Sequence, residues 1–168
     1  GNTANGVYAL NGAHSNTIGG TVAGSGNVIS GNNGIGVRLN GVGVDNNIIA
    51  GNIIGLDATG TTAIGNSNHG VQISNGAYNI IGGTTATARN IISGNAQFGA
   101  VINSPSATGN TIAGNYIGTD ITGTLSRGNA RSGIYLYSQS AYNTIGGTVS
   151  GSRNIISGNS ENGIYFNA

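Results

Sequence analysis

Apolar residues in this chain alternate with polar ones over short stretches, as in Val71-Gln72-Ile73 and Ile134-Tyr135-Leu136, and Gly, Asn and Ser separate one stretch from the next. The pattern predicts strands of about three to five residues between tight corners. No stretch places apolar residues at helical spacing, and 33 glycines among 168 residues, with Ile, Val and Thr dominating the remainder, oppose helical repeats. The pattern also repeats. Asn-Thr-Ile-Gly-Gly-Thr at 16–21 returns as Asn-Ile-Ile-Gly-Gly-Thr at 79–84 and Asn-Thr-Ile-Gly-Gly-Thr at 143–148, at spacings of 63 and 64 residues. A second phrase, Asn-x-Ile-x-Gly-Asn, begins at Asn27, Asn47, Asn90, Asn110 and Asn154.

Aligning one apolar residue per unit gives Val7, Ile29, Ile49, Val71, Ile92, Ile112, Ile134 and Ile156, about 21 residues apart. Self-similarity at this period means stacked supersecondary units, each burying its apolar face against its neighbours. The Leu-x-x-Leu-x-Leu frame of leucine-rich repeats is missing, since the only leucines are Leu10, Leu39, Leu56, Leu125 and Leu136. The expectation is therefore an all-β parallel solenoid of about eight coils of 20–23 residues, with those eight residues in one inward column. A second inward column is expected from Ile18, Val37, Ile54, Ile81, Val101, Ile117, Ile145 and Ile164. At about 4.8 Å per coil the rod would be roughly 38 Å long. The repeated asparagines fit corners that need positive φ, and a stacked Asn column can pass amide hydrogen bonds from coil to coil.

The Asn-x-Ile-x-Gly-Asn and Gly-Ile-x-Leu phrases, with Ile-Gly-Gly-Thr and the Ile-Gly-Thr-Asp-x-Thr-Gly-Thr of 117–124, resemble the right-handed parallel β-helix repeats of large secreted and surface proteins of bacteria. That superfamily also contains pectate lyases and related polysaccharide-active enzymes. The resemblance covers the whole chain and implies a right-handed parallel β-helix in an extracellular or cell-surface setting. It implies less about function, because the matching residues are scaffold residues and one fold carries many activities.

Residues 1–168 read as one solenoid domain, uncapped at both ends, without linker or charge run. Five arginines face four acids, Asp45, Asp57, Asp120 and Glu161, with no lysine. A net charge of +1 gives no electrostatic footprint for nucleic acid, and no apolar run is long enough for a membrane span. Little charge repulsion keeps copies apart, which favours association. Cys is absent, so disulfides and metal thiolates are excluded, and the sequence calls for no cofactor.

A glycosidase needs two carboxylates roughly 5–9.5 Å apart. Asp57 and Asp120 are repeat mates, expected three coils or about 14 Å apart, and Asp45 and Glu161 lie farther away. The hydrolase phrases of the superfamily are missing, so no catalytic residues are assigned and the chain reads as a non-enzyme. The Asp57 and Asp120 loops are weak candidates for a metal such as Ca²⁺, against an Asx-type turn in which the carboxylate caps loop amides. His14 sits in a corner, and His69 takes the slot that Asn90 fills in the next unit, so they form no triad. The loops 55–66 and 118–129 are expected one above the other in every third turn.

Tyrosine is the residue type with most to offer. Tyr8, Tyr135, Tyr137 and Tyr165 are placed outward, where they can stack on a sugar ring or on another protein. A second outward stripe is Val28, Ile48, Ile80, Ile91 and Ile155. Open terminal coils present unpaired strand edges. Gly1, Asn5, Val7, Asn162, Ile164, Phe166 and Ala168 are accordingly candidate assembly residues, with 162–168 of one copy expected against 1–10 of the next. The function expected is a structural β-solenoid module of a secreted or cell-surface fibre or adhesin, stacking as a homopolymer or lying within a longer array. The alternative is a polysaccharide-binding or polysaccharide-processing β-helix.

Overall fold

A computed structural model describes residues 1–167, and within them the chain is an all-β parallel solenoid. Sixteen short strands, numbered in chain order, form three parallel sheets. Sheet 1 stacks β1 (Val7–Leu10), β4 (Val37–Asn40), β7 (Val71–Ser74), β10 (Ala100–Asn103), β13 (Ile134–Tyr137) and β16 (Ile164–Asn167). Sheet 2 stacks β2 (Thr17–Gly19), β5 (Ile48–Ala50), β8 (Ile80–Gly82), β11 (Thr111–Ala113) and β14 (Thr144–Ile145). Sheet 3 stacks β3 (Val28–Ile29), β6 (Ile53–Ile54), β9 (Ile91–Ile92), β12 (Tyr116–Ile117) and β15 (Ile155–Ile156). Each coil contributes one strand to each sheet, which makes five turns and the start of a sixth.

The coil is longer than the 21-residue period. Sheet 1 aligns Val7, Val37, Val71, Ala100, Ile134 and Ile164, so coils run 30, 34, 29, 34 and 30 residues. The expected count of eight coils is corrected to about five, and the described rod shortens to roughly 25 Å at about 4.8 Å per coil. The eight aligned residues do not form one column. Val7, Val71 and Ile134 face inward from sheet 1, Ile49 and Ile112 from sheet 2, and Ile29, Ile92 and Ile156 from sheet 3. All three faces use an inward β-branched residue after a corner, so a step of two-thirds of a coil looks like a repeat. The 63-residue super-repeat is two coils.

The second expected column divides among the three sheets in the same way, and Val101 leaves it. Val101 pairs with Gln72 and Tyr135 on the outward side, while Ala100 and Ile102 point into the core.

Three asparagine ladders mark the three corners. Asn16, Asn47, Asn79, Asn110 and Asn143 form the first, and Asn27, Asn52, Asn90, Asn115 and Asn154 the second. Asn2, Asn32, Asn66, Asn95, Asn129 and Asn159 form the third. In each step the backbone N–H and the side-chain amide of one Asn both donate to Oδ1 of the Asn in the next coil, as Asn90 does to Asn115 at 3.3 and 2.9 Å. The same side chain donates to a carbonyl of the coil before, as Asn90 does to Ile49 at 2.8 Å. Buried corner groups that would otherwise be orphaned are thereby paired. The ladder role expected for Asn27, Asn47, Asn90, Asn110 and Asn154 is present, on two ladders instead of one.

Positive φ falls mainly on glycine, and among asparagines on Asn11, Asn46 and Asn75, none of which is a ladder residue. Gly70 serves a different purpose. A Cβ there would come within 2.6 Å of the Ile92 side chain and 2.7 Å of the Gly99 carbonyl, so only glycine lets sheet 1 begin that close to its neighbours.

Coil length alternates because insertions do. Loops 55–66 and 118–129 occur in every second coil, not every third, and each closes on a short antiparallel bridge, Leu56 with Ala63 and Thr119 with Ser126. They reach over the plain coil between them: Ile121 N–H donates to the Gly60 carbonyl at 2.9 Å, and Arg127 Nε donates to the Thr61 carbonyl. On the other side of sheet 3, the long corners 20–26, 83–89 and 147–153 alternate with the short corners at Gly51 and Gly114. Thr87 Oγ1 bridges two of the long corners by donating to the Thr21 carbonyl at 2.6 Å. The outer face of sheet 3 is thus the floor of a trough.

Candidate functional site

The outward face of sheet 1 carries the chain's main aromatic cluster. In its second register position the strands align Tyr8, Arg38, Gln72, Val101, Tyr135 and Tyr165, and Tyr137 stands two residues on from Tyr135. Tyr135 is the hub. Its ring stacks on Tyr165 at 5.0 Å, on Tyr137 at 4.7 Å and on Phe98 at 4.7 Å. His69 meets the far side of Phe98 at 5.4 Å, and the Arg131 guanidinium lies 4.7 Å from the Phe98 ring while pairing with Glu161 at 3.0 Å. Three of the four selected tyrosines are therefore in contact. Tyr8 is separate, with Arg38 at 5.3 Å from its ring.

Phe98, His69 and Arg131 are members that the sequence reading missed. Phe98 and His69 precede Gly99 and Gly70, in the position filled elsewhere by Asn5, Ile35, Ser132 and Asn162. Aligning the chain on the glycine before each sheet-1 strand would have found them. The slot assigned to His69 is corrected accordingly: it lies before sheet 1, whereas Asn90 stands at the corner before sheet 3. Burial, followed by the charges of Arg131 and Arg38, holds the His69 imidazole well down, to about 4. His69 is neutral at ordinary pH, and its Nδ1 is buried without a partner.

Stacked rings spend their faces on one another. Edges and hydroxyls remain for outside contact, together with the upper face of Tyr165, which is 40% exposed in the last described coil. A ring added there would continue the stack at a gain of about 0.5–1.5 kcal/mol per pair.

Asp57 and Asp120 lie in the bridging loops. Each carboxylate accepts from the hydroxyl two residues on, Thr59 or Thr122, and from two loop amides, Thr61 and Thr62 or Thr124 and Leu125. The amides of Thr62 and Thr61 hold the Asp57 carboxyl below its ordinary value. At Asp120 burial pushes the other way, but the Thr122 hydroxyl and the loop amides outweigh it and the net direction is again down. Their separation is corrected from three coils to two, roughly 9.6 Å along the axis. Separation alone no longer excludes a carboxylate pair. Each carboxylate takes those hydrogen bonds from its own loop.

The other outward stripe divides between two faces, with Ile48 and Ile80 on sheet 2 and Val28, Ile91 and Ile155 on sheet 3. Val28 is exposed, but Ile91 is buried under the walls of the trough.

The terminal candidates lie at the solenoid's two edges. Asn5 Oδ1 accepts from the Ile35 amide at 2.9 Å, and Asn162 N–H donates to Ser132 Oγ at 3.3 Å. Val7 is the first and Ile164 the last member of the inward sheet-1 column; Phe166 is exposed, Gly1 stands at the lower edge, and Ala168 lies outside the described residues. Among the described residues no helix is long and apolar enough to cross a membrane, and no three His, Cys, Asp or Glu side chains gather as a metal site. Compared with models of known families, with curated proteins and with solved structures, the chain has no match.

Proposed function

We propose that the chain is a structural β-solenoid module of a secreted or cell-surface fibre or adhesin, and that its edges accept further coils of the same kind. The observation that carries this reading is the complementarity of the two edges. At the lower edge Oδ1 of Asn2, Asn16 and Asn27 accepts nothing among the described residues. At the upper edge the backbone amides of Asn143, Asn154 and Asn159 donate to nothing among the described residues. Each ladder runs from amide to Oδ1, so the free donors of an upper edge are of the kind that the free acceptors of a lower edge take. The finer likeness to right-handed parallel β-helix repeats of bacterial surface proteins belongs to the same reading.

Topology selects the way two copies would meet. Sheet 1 has six strands and sheets 2 and 3 have five. Seating β1 of a second copy on β16, which is the pairing expected from 1–10 and 162–168, would leave one strand position empty in each of the other two sheets. A rotation of one-third of a turn removes the gap. It places β1 on β14, β2 on β15 and β3 on β16, and it sets Asn16 on Asn154. The other two corners must adjust, because a ladder Asn stands five residues before a sheet-1 strand, as Asn2 before Val7 and Asn159 before Ile164, but one before a strand of sheet 2 or 3, as Asn143 before Thr144 and Asn27 before Val28. Such a head-to-tail contact does not close on itself.

Electron microscopy of concentrated protein tests the reading. Rods longer than the roughly 25 Å of the described coils, with about 4.8 Å periodicity along the axis, are the expected result. Compact particles of constant length at all concentrations, with both edges solvated, would rule out self-stacking and leave the role of a module within a longer array.

A further inference from the structure

The residues just before the second ladder are Gly26, Gly51, Arg89, Gly114 and Arg153, one per coil at the same corner. Arg89 and Arg153 are therefore two coils apart, roughly 9.6 Å along the axis, and Tyr116 belongs to the coil between them. The Arg89 guanidinium lies 4.1 Å from the centroid of the Tyr116 ring, and its Nε donates to the Gly114 carbonyl at 3.1 Å. Arg89, Tyr116 and Arg153, with Gly151 and Ile155, line one open hollow of 240 Å³ in the trough. A second hollow of 220 Å³, walled by Thr87, Asn52 and Ile121, adjoins it and shares Arg89.

No carboxylate lines either hollow, and the ion pair found among the described residues, Arg131 with Glu161, is on the other face. Two permanently charged guanidinium groups thus face one small space without a counter-charge. Arg89 is held by its ring contact and its Nε bond, so its terminal nitrogens are what remain to offer. A planar carboxylate presents two oxygens in one plane, whereas two guanidinium groups on separate coils call for oxygens pointing in divergent directions. A tetrahedral oxyanion has them, and Arg suits such groups through parallel N–H···O bonds. The hollow is below the roughly 300 Å³ at which drug-sized sites begin, which suits a single anionic group.

We propose that Arg89, Arg153 and Tyr116 form a binding site for a phosphate or sulfate group, either free or carried as an ester on a longer polymer. The test is a chemical-shift titration of the chain with inorganic phosphate, with a sulfated oligosaccharide and with an oligouronate of equal charge. The Arg89 Nε–H and Tyr116 ring signals should move saturably with either of the first two, and the oligouronate should bind at least about tenfold more weakly. Equal affinity for phosphate and the sulfated oligosaccharide assigns the free ion, and tighter binding of the oligosaccharide assigns the ester. Arg153→Gln should lower affinity by about tenfold or more with an unchanged melting temperature, because the Arg153 side chain is exposed and makes no hydrogen bond among the described residues. Absence of saturable shifts, affinity indifferent to Arg153→Gln, or equal affinity for the oligouronate would overturn the assignment.

Discussion

β7 and β16 have the same alternating composition, Val71-Gln72-Ile73 against Ile164-Tyr165-Phe166, and opposite fates. All four residues of β7 are buried, outward-facing Gln72 and Ser74 included, while all four residues of β16 are exposed, Ile164 at 41% and Phe166 at 64%. Nothing in the strands themselves accounts for this. β7 has β4 below and β10 above, whereas β16 has only β13. Burial in this molecule belongs to the stack, so stability is a sum over neighbouring coils, and an edge coil is worth about half a middle one.

The sharpest break should come at the ladder. Asn90→Ala removes the acceptor of the buried Asn52 amide and a donor to the Ile49 carbonyl, for an expected loss of about 3–6 kcal/mol. Asn154→Ala breaks the matching bonds with Asn115 and Ile112 but, unlike Asn90→Ala, no side-chain bond to a following coil. Water reaches the half-buried site, so this variant should cost only about 1–2 kcal/mol. Denaturant unfolding of the two variants measures the difference, and equal losses would refute the neighbour account. Hydrophobic truncation gives the same contrast: Ile92→Ala should cost about 2–5 kcal/mol and Ile164→Ala less than about 1 kcal/mol.

Middle-coil burial also has a pH signature. His69 is held near 4 in the fold, against an ordinary value of 6.5. The unfolded chain takes up a proton as pH falls through about 6.5 and the folded chain does not, so stability present above that pH declines toward about 4. His69→Asn should flatten this decline in melting temperature. An unchanged slope would place the imidazole in solvent. An effect of the same small order as at Ile164 is expected at the aromatic stack, where Tyr165→Ser should lower stability by about 0.5–1.5 kcal/mol in dilute solution.

The class of fold was legible in the sequence because every corner repeats an Asn and every strand an inward β-branched residue. The coil length was not. Asn-x-Ile-x-Gly-Asn serves both the sheet-2 and sheet-3 corners, so matching phrases such as those at Asn27 and Asn47 lie two-thirds of a coil apart. Glycine held the missing phase: Gly6, Gly36, Gly70, Gly99, Gly133 and Gly163 each precede a strand of sheet 1 only. The outward tyrosines could be picked by alternation, but their partners could not. Phe98 reaches Tyr135 from the coil before, and the Arg89–Tyr116 contact crosses between coils that a 21-residue frame places out of line.

Residue-resolved hydrogen exchange at two protein concentrations tests the central claim most directly, because it reads the coils one by one. Backbone amides of Asn52, Asn79 and Asn90 should exchange only through global unfolding at either concentration. Those of Asn143, Asn154 and Asn159 should exchange rapidly in dilute protein and become protected in concentrated protein, as the lower edge of another copy supplies Oδ1 acceptors. Middle amides that exchange as fast as the edge ones would contradict the stacked-coil account, and edge amides indifferent to concentration would contradict self-stacking.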